Sequence, residues 1–467
     1  MHNLLIAYYG DDFTGSTDAL EFLSRAGVKT VLFIDVPSKE QLAKYEGLQA
    51  LGIAGMSRAM PPEKMEEELI PVFAALKDLN PRHIHYKVCS TFDSSPEIGS
   101  IGKAIDIGME IFESTFVPLL VAAPVLGRYC LFGNLFARMG IGSAGSIYRL
   151  DRHPSMSKHP VTPARESDLR IHLNQQTSKK IGLVDILQLE KDVTETFSYI
   201  NKQVRAGTEV ILFDALNQEQ LSLIGNLIEI QADVEKPLFS VGSSGIEMAL
   251  GEFWDKAEVV GFQPDWVPAG NAEPILVASG SCSPVTSEQI SYALTNGFME
   301  IAIDTEELAL NGISTEVIER YAGQAAEYLR QKLNVIVHTS TGNDDERVRQ
   351  TEKIFKEMDI DKTETAILYG TVLGEIAKRA AEKAALQRIV IAGGDTSSYA
   401  ARAMGIEAVE MIAPLSPGAP LCKAYAPGSS IDGREVNFKG GQVGKQDYFV
   451  MAARGIEETR IDADYTT

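Results

Sequence analysis

The chain has 467 residues, 45% hydrophobic and 23% charged, a globular composition that excludes a disordered or fibrous protein and leaves room for about three domains, or two larger α/β ones. With 43 basic against 64 acidic residues its formal charge is −21, so a nucleic-acid backbone or an anionic membrane surface is repelled and neither is expected as a partner. Cys89, Cys130, Cys282 and Cys422 lie far apart without a C-x-x-C pair, which reads as small buried hydrophobes rather than a zinc or disulfide framework. The N-terminus lacks a basic signal-peptide region and the most apolar stretch, residues 116–127, is broken by Pro118 and Pro124; a cytoplasmic protein without a membrane span is expected.

Residues 4–8 read as a first strand, feeding Gly10-Asp11-Asp12-Phe13-Thr14-Gly15-Ser16-Thr17-Asp18 at the start of a helix. Paired acids at a strand end suit binding polyol hydroxyls or deprotonating one; the plainer reading is a helix cap at Thr17 or Asp18 with solvated neighbours. Strand-like runs follow at 30–34 and 48–53, the second leading into Gly55-Met56-Ser57-Arg58. A helical pattern over 63–79 then precedes a strand at 84–88, which carries Lys87 and is followed by Ser90 and Thr91. Cations at strand ends of so acidic a chain are natural holders of a carboxylate, although Lys and Arg are most often solvated surface. After a run at 119–122, residues 127–163 are rich in Gly, Pro and His and too long for a plain connector, as a lid or substrate loop would be. They contain Gly140-x-Gly142-x-x-Gly145, but the segment 146–150 after it looks extended. A dinucleotide fingerprint needs a helix there, so the motif reads as a glycine-rich turn.

Runs at 181–186 and 210–213 and a helical pattern over 218–230 lead to a Pro- and Gly-bearing segment, 261–274. It marks the seam between an N-terminal domain, residues 1–262, and a C-terminal one, residues 263–467. Beyond it a strand at 275–278 enters Ser279-Gly280-Ser281-Cys282-Ser283-Pro284, with Ser283 placed as N-cap and Pro284 as first helical residue. Free N–H groups and a helix dipole at a strand's carboxyl end make a phosphate site, though the same turn also occurs without a ligand. Strands at 301–303 and 335–337 and helices over 315–333 and 365–385 precede a strand at 389–391. A second such turn follows it, Gly393-Gly394-Asp395-Thr396, with a helix from Ser397. Its glycines admit a polyphosphate, and Asp395 is placed to reach a magnesium ion. A run at 408–411 and a third glycine cluster, Lys439-Gly440-Gly441-Gln442-Val443-Gly444, complete the pattern. Strand–helix alternation implies an α/β fold: two domains with mainly parallel sheets flanked by helices and the active site in the cleft between them. P-loop, zincin and serine-hydrolase motifs are absent.

Taken together, Gly10–Asp18, Ser279-Gly-Ser-Cys-Ser-Pro-Val-Thr286, Gly393–Thr396 and Lys439–Gly444 resemble the four-carbon acid sugar kinase family. Ser57-Arg58, Pro160-Val-Thr-Pro163 and Val241-Gly-Ser-Ser-Gly245 extend the resemblance over essentially the whole chain. It implies an ATP- and Mg²⁺-dependent kinase with an N-terminal substrate domain and a C-terminal nucleotide domain. Carried over by position, Asp11, Asp12, Arg58, Lys87, Ser90 and Thr91 match the substrate side. Ser281, Ser283, Gly393, Gly394, Asp395, Thr396 and Gly440 match the ATP side, with Asp395 also toward the metal. One departure stands out: where the family usually reads K-x-D-S-T-x-R-G-N, this chain has Lys87-Val-Cys-Ser-Thr-Phe-Asp-Ser-Ser95, with Cys89 for Asp and Asp93 for Arg. An anion in place of a cation changes which substrate atoms are accepted, unless Asp93 merely caps a helix after Pro96.

The expected reaction is phosphoryl transfer from ATP·Mg²⁺ to a hydroxyl of a small acid sugar of the 3-oxo-isoapionate or 3-oxo-tetronate class, with Asp12 as general base. A D-threonate or D-erythronate kinase is the alternative substrate assignment, and a non-catalytic sugar-acid-binding protein the alternative class. A homodimer is one arrangement compatible with this reading.

Overall fold

The computed structural model describes residues 4–139, 145–159, 161–232, 236–261, 266–342, 345–359 and 362–457. They form two compact units: residues 4–31 with 35–261, and residues 32–34 with 266–457. The expected seam at residues 262 and 263 lies outside the described residues.

In the first unit the central strands run in the order Ala50–Ala54, Ile6–Gly10, His83–Lys87, Leu238–Gly242, Val117–Leu120, Val210–Phe213 and Ile181–Val184. All six pairings are parallel. Most of these strands are buried along their whole length because helices cover both faces, so they read as apolar runs rather than alternating ones. Phe73 of the helix Pro62–Asp78 packs against Phe112 and Phe239, with ring centres 5.4 and 5.7 Å apart, while Tyr9 stacks on Tyr86 at 6.0 Å. This aromatic core stiffens the strands just behind their carboxyl ends. The register sets Gly10 opposite both Ala54 and Lys87, so Asp11, Gly55 and Val88 leave the sheet at one edge.

The segment expected as a lid or substrate loop carries regular structure. Arg128–Leu131, Asn134–Arg138 and Ile147–Arg149 form a small antiparallel sheet, and Gly133 takes φ +80° in the first hairpin turn.

The second unit orders its strands Met299–Ala302, Val335–His338, Ile275–Ser279, Arg388–Ala392 and Glu435–Lys439, all parallel. Ala419–Tyr425 and Ala408–Ser416 then add antiparallel. Its core gathers Ile275, Val277, Ile290, Phe298, Ile336 and Phe449 with their neighbours. The helix after Ala392 begins at Gly394 rather than at Ser397. Gly393 alone, at φ +125°, makes the turn; the second glycine is already helical. Among the described residues no helix is long and apolar enough to cross a membrane.

Candidate active site: two sheet edges

In the first unit Asp12, not Thr17 or Asp18, caps the helix Phe13–Arg25: its Oδ1 accepts from Gly15 N at 2.8 Å and its Oδ2 from the Thr14 hydroxyl at 2.8 Å. Its neighbours are not solvated. Asp11 is buried, and Arg58, in the short turn Ser57–Ala59, grips it with two prongs, Nη2 to Oδ1 at 2.6 Å and Nε to Oδ2 at 3.1 Å. The same Nη2 donates to Asp12 Oδ1 at 2.8 Å. The backbone fixes these partners, since Asp11 N donates to Lys87 O and Arg58 N to Asp11 O. Burial raises the Asp11 carboxyl and Arg58 opposes it. For Arg58, burial is outweighed by Asp11 and Asp12, which hold the guanidinium charged, so the forked pair is ionic.

Lys87 is fully buried, its Nζ 3.3 Å from Asp18 Oδ2, and Asp18 also accepts from the Ser244 hydroxyl. Burial works against the Lys87 charge but is overcome, chiefly by Asp18, so its pKa is raised. Glu247, fully buried, is pushed up to about 8 by burial, and His85 down to about 3 by burial and Lys87. Both are therefore neutral near pH 7 and leave Lys87 with Asp18. A Cβ built on Gly15 would lie 2.4 Å from Asp12 Oδ1 and 3.5 Å from both Arg58 Nη2 and Lys87 Nζ. One carboxylate and two cations thus converge over a position that has no side chain. Gly15 and Asp18 stand in the Gly10–Asp18 motif, but the sequence alone gives them no site role, and Glu247, inside the helix Gly245–Lys256, carries no signal of its own.

Ser90 and Thr91 follow in the next turn, where the Thr91 hydroxyl lies 2.8 Å from Cys89 Sγ. Burial, reinforced by Asp93, pushes the Cys89 thiol up to about 12, so it stays protonated. Asp93 caps no helix: the next helix, Ile101–Ile111, is capped by Ser100. Asp93 instead lines a small recess with Thr91, Thr162, Glu166 and His172.

In the second unit Ser279, Ala392 and Lys439 stand in one register at the carboxyl ends of adjacent parallel strands. Ser283 caps the helix Pro284–Thr295 by accepting from Val285 N, and itself donates N–H to Ser281 Oγ at 3.2 Å. The three glycine turns interlock. A Cβ on Gly280 would lie 2.3 Å from Thr396 Oγ1, one on Gly393 2.7 Å from the same atom, and one on Gly441 2.9 Å from Ser281 Oγ. Beside them opens a pocket of about 380 Å³, within the ordinary range for a small-molecule or cofactor site. Ser281 and Gly393, Gly394, Asp395 and Thr396 line it, with Gly441 in the lining where Gly440 was expected. Val348, Phe355, Ala366 and Tyr369 supply an apolar wall, and Asp395 and Glu352 are its carboxylates. The lining thus combines the glycine turns with apolar side chains, the two kinds of surface that a nucleotide's phosphates and base require.

A family described as a sugar-binding N-terminal domain matches residues 6–250, and one described as a nucleotide-binding C-terminal domain matches residues 276–449. The chain belongs to the four-carbon acid sugar kinase family. It is 40% identical to the 3-oxo-isoapionate kinase of Paraburkholderia graminis, over 97% of this chain and 94% of that one. It is 27% identical to the 3-oxo-tetronate kinase of Salmonella typhimurium, over 97% and 99%. A solved structure of a Salmonella typhimurium LT2 protein superposes with a TM-score of 0.76 at 25% identity, covering 97% of this chain and 99% of that one. Haemophilus influenzae protein HI1011, at 23% identity and TM-score 0.67, shares the fold, covering 96% and 98%.

Of the apparent dinucleotide motif, Gly140 and Gly142 lie outside the described residues. Gly145 is followed by the strand Ile147–Arg149, which pairs antiparallel with Asn134–Arg138 instead of opening a helix. Calorimetric titration with NAD or NADP is expected to show no saturable binding; micromolar affinity for either would overturn this reading of the motif.

Proposed function

We propose that this kinase transfers the γ-phosphoryl group of ATP to a hydroxyl of a 3-oxo acid sugar of the 3-oxo-isoapionate or 3-oxo-tetronate class. Residues 1–262 form the acid-sugar domain and residues 263–467 the nucleotide domain in this reading. The observation that carries it is the convergence of Asp12, Arg58 and Lys87 over Gly15, in a chain 40% identical to a 3-oxo-isoapionate kinase. Asp11, Asp12, Arg58, Lys87, Ser90 and Thr91 hold the sugar; Ser281, Gly393–Thr396 and Gly441 line the pocket for ATP, with Ser283 and Gly440 supporting it from the adjoining turns.

The acceptor hydroxyl attacks the γ-phosphorus, its proton passes to Asp12, and ADP leaves. Asp12 needs little basicity, because the transition state for phosphoryl transfer is loose and positioning dominates. Arg58 fixes the Asp12 carboxylate through Oδ1 and leaves the fork on Asp11 to orient the loop. Asp395 lines the pocket beside the Gly393-Gly394 turn, and a carboxylate there suits Mg²⁺, which is usually held by one or two carboxylates together with phosphate and water oxygens. When bound, the ion would neutralise charge on the phosphates.

Steady-state assays of ADP release test the reading. Branched and linear 3-oxo acid sugars should give higher kcat/KM than D-threonate or D-erythronate, and Asp93→Asn should change the ranking, since an Asp accepts hydroxyl donors and repels a carboxylate. The same ranking in both proteins would remove Asp93 from recognition. A preference for the tetronates would assign the alternative substrate.

A further inference from the structure

Lys439 closes the strand Glu435–Lys439 at the edge from which all three turns spring, and its side chain is fully buried. Its Nζ donates to Thr286 Oγ1 at 3.0 Å, and the Thr286 hydroxyl donates in turn to Gly441 O at 3.0 Å. The ammonium therefore sits beneath the glycine turn that packs on Ser281 and Ser283. It also lies 5.5 and 5.9 Å from the ring centres of Tyr448 and Phe449.

What it lacks is an anion. Fully buried Arg388 has Glu435, and fully buried Lys87 has Asp18, whereas among the described residues Lys439 has no ion pair. The groups facing it are uncharged: Thr286 on the helix Pro284–Thr295, Tyr448 and Phe449 on the helix Tyr448–Arg454, and the Gly441 turn. The Tyr448 hydroxyl is engaged with Asn437 Oδ1. Burial alone, uncompensated by any neighbour, holds the Lys439 ammonium down at about 7.

An uncompensated cation next to turns suited to phosphate is completed by the anion those turns would bind. We propose that Lys439 is a positioning residue for the nucleotide phosphates: through Thr286 it holds the Gly440-Gly441 turn against Ser281 and Ser283, and it takes up a proton as the triphosphate of MgATP binds. The inference rests on the nucleotide reading of this pocket. A triphosphate nearby favours the charged amine, so the proton comes from buffer and binding weakens as pH rises above the free-state value.

The test is calorimetric titration of the full chain with MgATP at pH 8, in buffers of different ionisation enthalpy, with Kd followed from pH 7 to 9. MgATP is itself fully ionised at pH 8, so uptake reports the protein. Wild type should take up close to one proton, with Kd rising toward tenfold per pH unit. Lys439→Met, which replaces an unpaired buried charge by an apolar chain of similar length and so should keep the fold, should show near-zero uptake and a flat Kd. Thr286→Val should weaken binding several-fold while keeping the uptake. Equal uptake in wild type and Lys439→Met, or MgATP binding by wild type with no uptake, would overturn the inference and leave the nucleotide reading standing. Failure of wild type to bind MgATP would overturn both.

Discussion

An Arg58→Lys variant should lose about a hundredfold in kcat/KM for the acid sugar while binding MgATP as tightly as wild type. The argument is geometric. Arg58 makes three charge-assisted contacts at once, two to Asp11 and one to Asp12, and a single ammonium cannot reproduce a planar fork. Asp12 then keeps only its cap bonds from Gly15 and Thr14 and loses the constraint that aims it over Gly15. A loss of about 2.7 kcal/mol in transition-state stabilisation corresponds to that hundredfold. The charge on Asp11 remains compensated, so the unfolding midpoint should move little. Arg58→Met is the contrasting case: with the buried partner unpaired, stability should fall by about 3–5 kcal/mol. Steady-state kinetics with thermal denaturation separates the two, and wild-type kcat/KM in Arg58→Lys would mean that Arg58 does not organise the site.

Gly393→Val should raise the KM for ATP tenfold or more and leave the KM for the sugar near its wild-type value. Gly393 sits at φ +125°, a conformation costly for a β-branched residue by about 1–3 kcal/mol. Its Cβ would lie 2.7 Å from Thr396 Oγ1 and 3.4 Å from Ser281 N. Relieving the clash must displace the Thr396 side chain or reshape the Gly393–Thr396 turn itself, which together with the contact to Ser281 N disturbs the pocket wall that the two turns share. Unchanged ATP kinetics in a folded variant would remove this turn from the nucleotide site.

The parts that could be read from sequence share one physical origin. A fully buried parallel strand followed by small residues and a capped helix writes a recognisable local code, and Ile275–Ser279 with Ser283 and Pro284 is such a case. Glu435–Lys439 and Ala419–Tyr425 escaped notice because charged or polar residues interrupt their apolar runs. The strand Leu238–Gly242, which runs into Gly242-Ser-Ser-Gly245 and a helix, carries the same local code, although its place in mid-sheet is set by pairing with residues far away in sequence. At Gly393-Gly394 composition pointed to a four-residue loop, whereas only the first glycine needs a conformation closed to other residues. The charge clusters were least legible. Lys87 and Lys439 are the same residue type at the end of a buried strand, yet one meets Asp18 and the other only Thr286. Those partners lie 69 and 153 positions away in sequence, a separation no periodicity reveals.

The most direct test of the central claim is product analysis after incubation with ATP, Mg²⁺ and a 3-oxo acid sugar, using ³¹P NMR with mass spectrometry. The account predicts ADP and a sugar phosphomonoester in equal amounts, the sugar heavier by one phosphoryl group. Saturable binding of the acid sugar with no phosphomonoester and no ADP above the sugar-free rate would contradict it and leave a protein that binds sugar acids without acting on them.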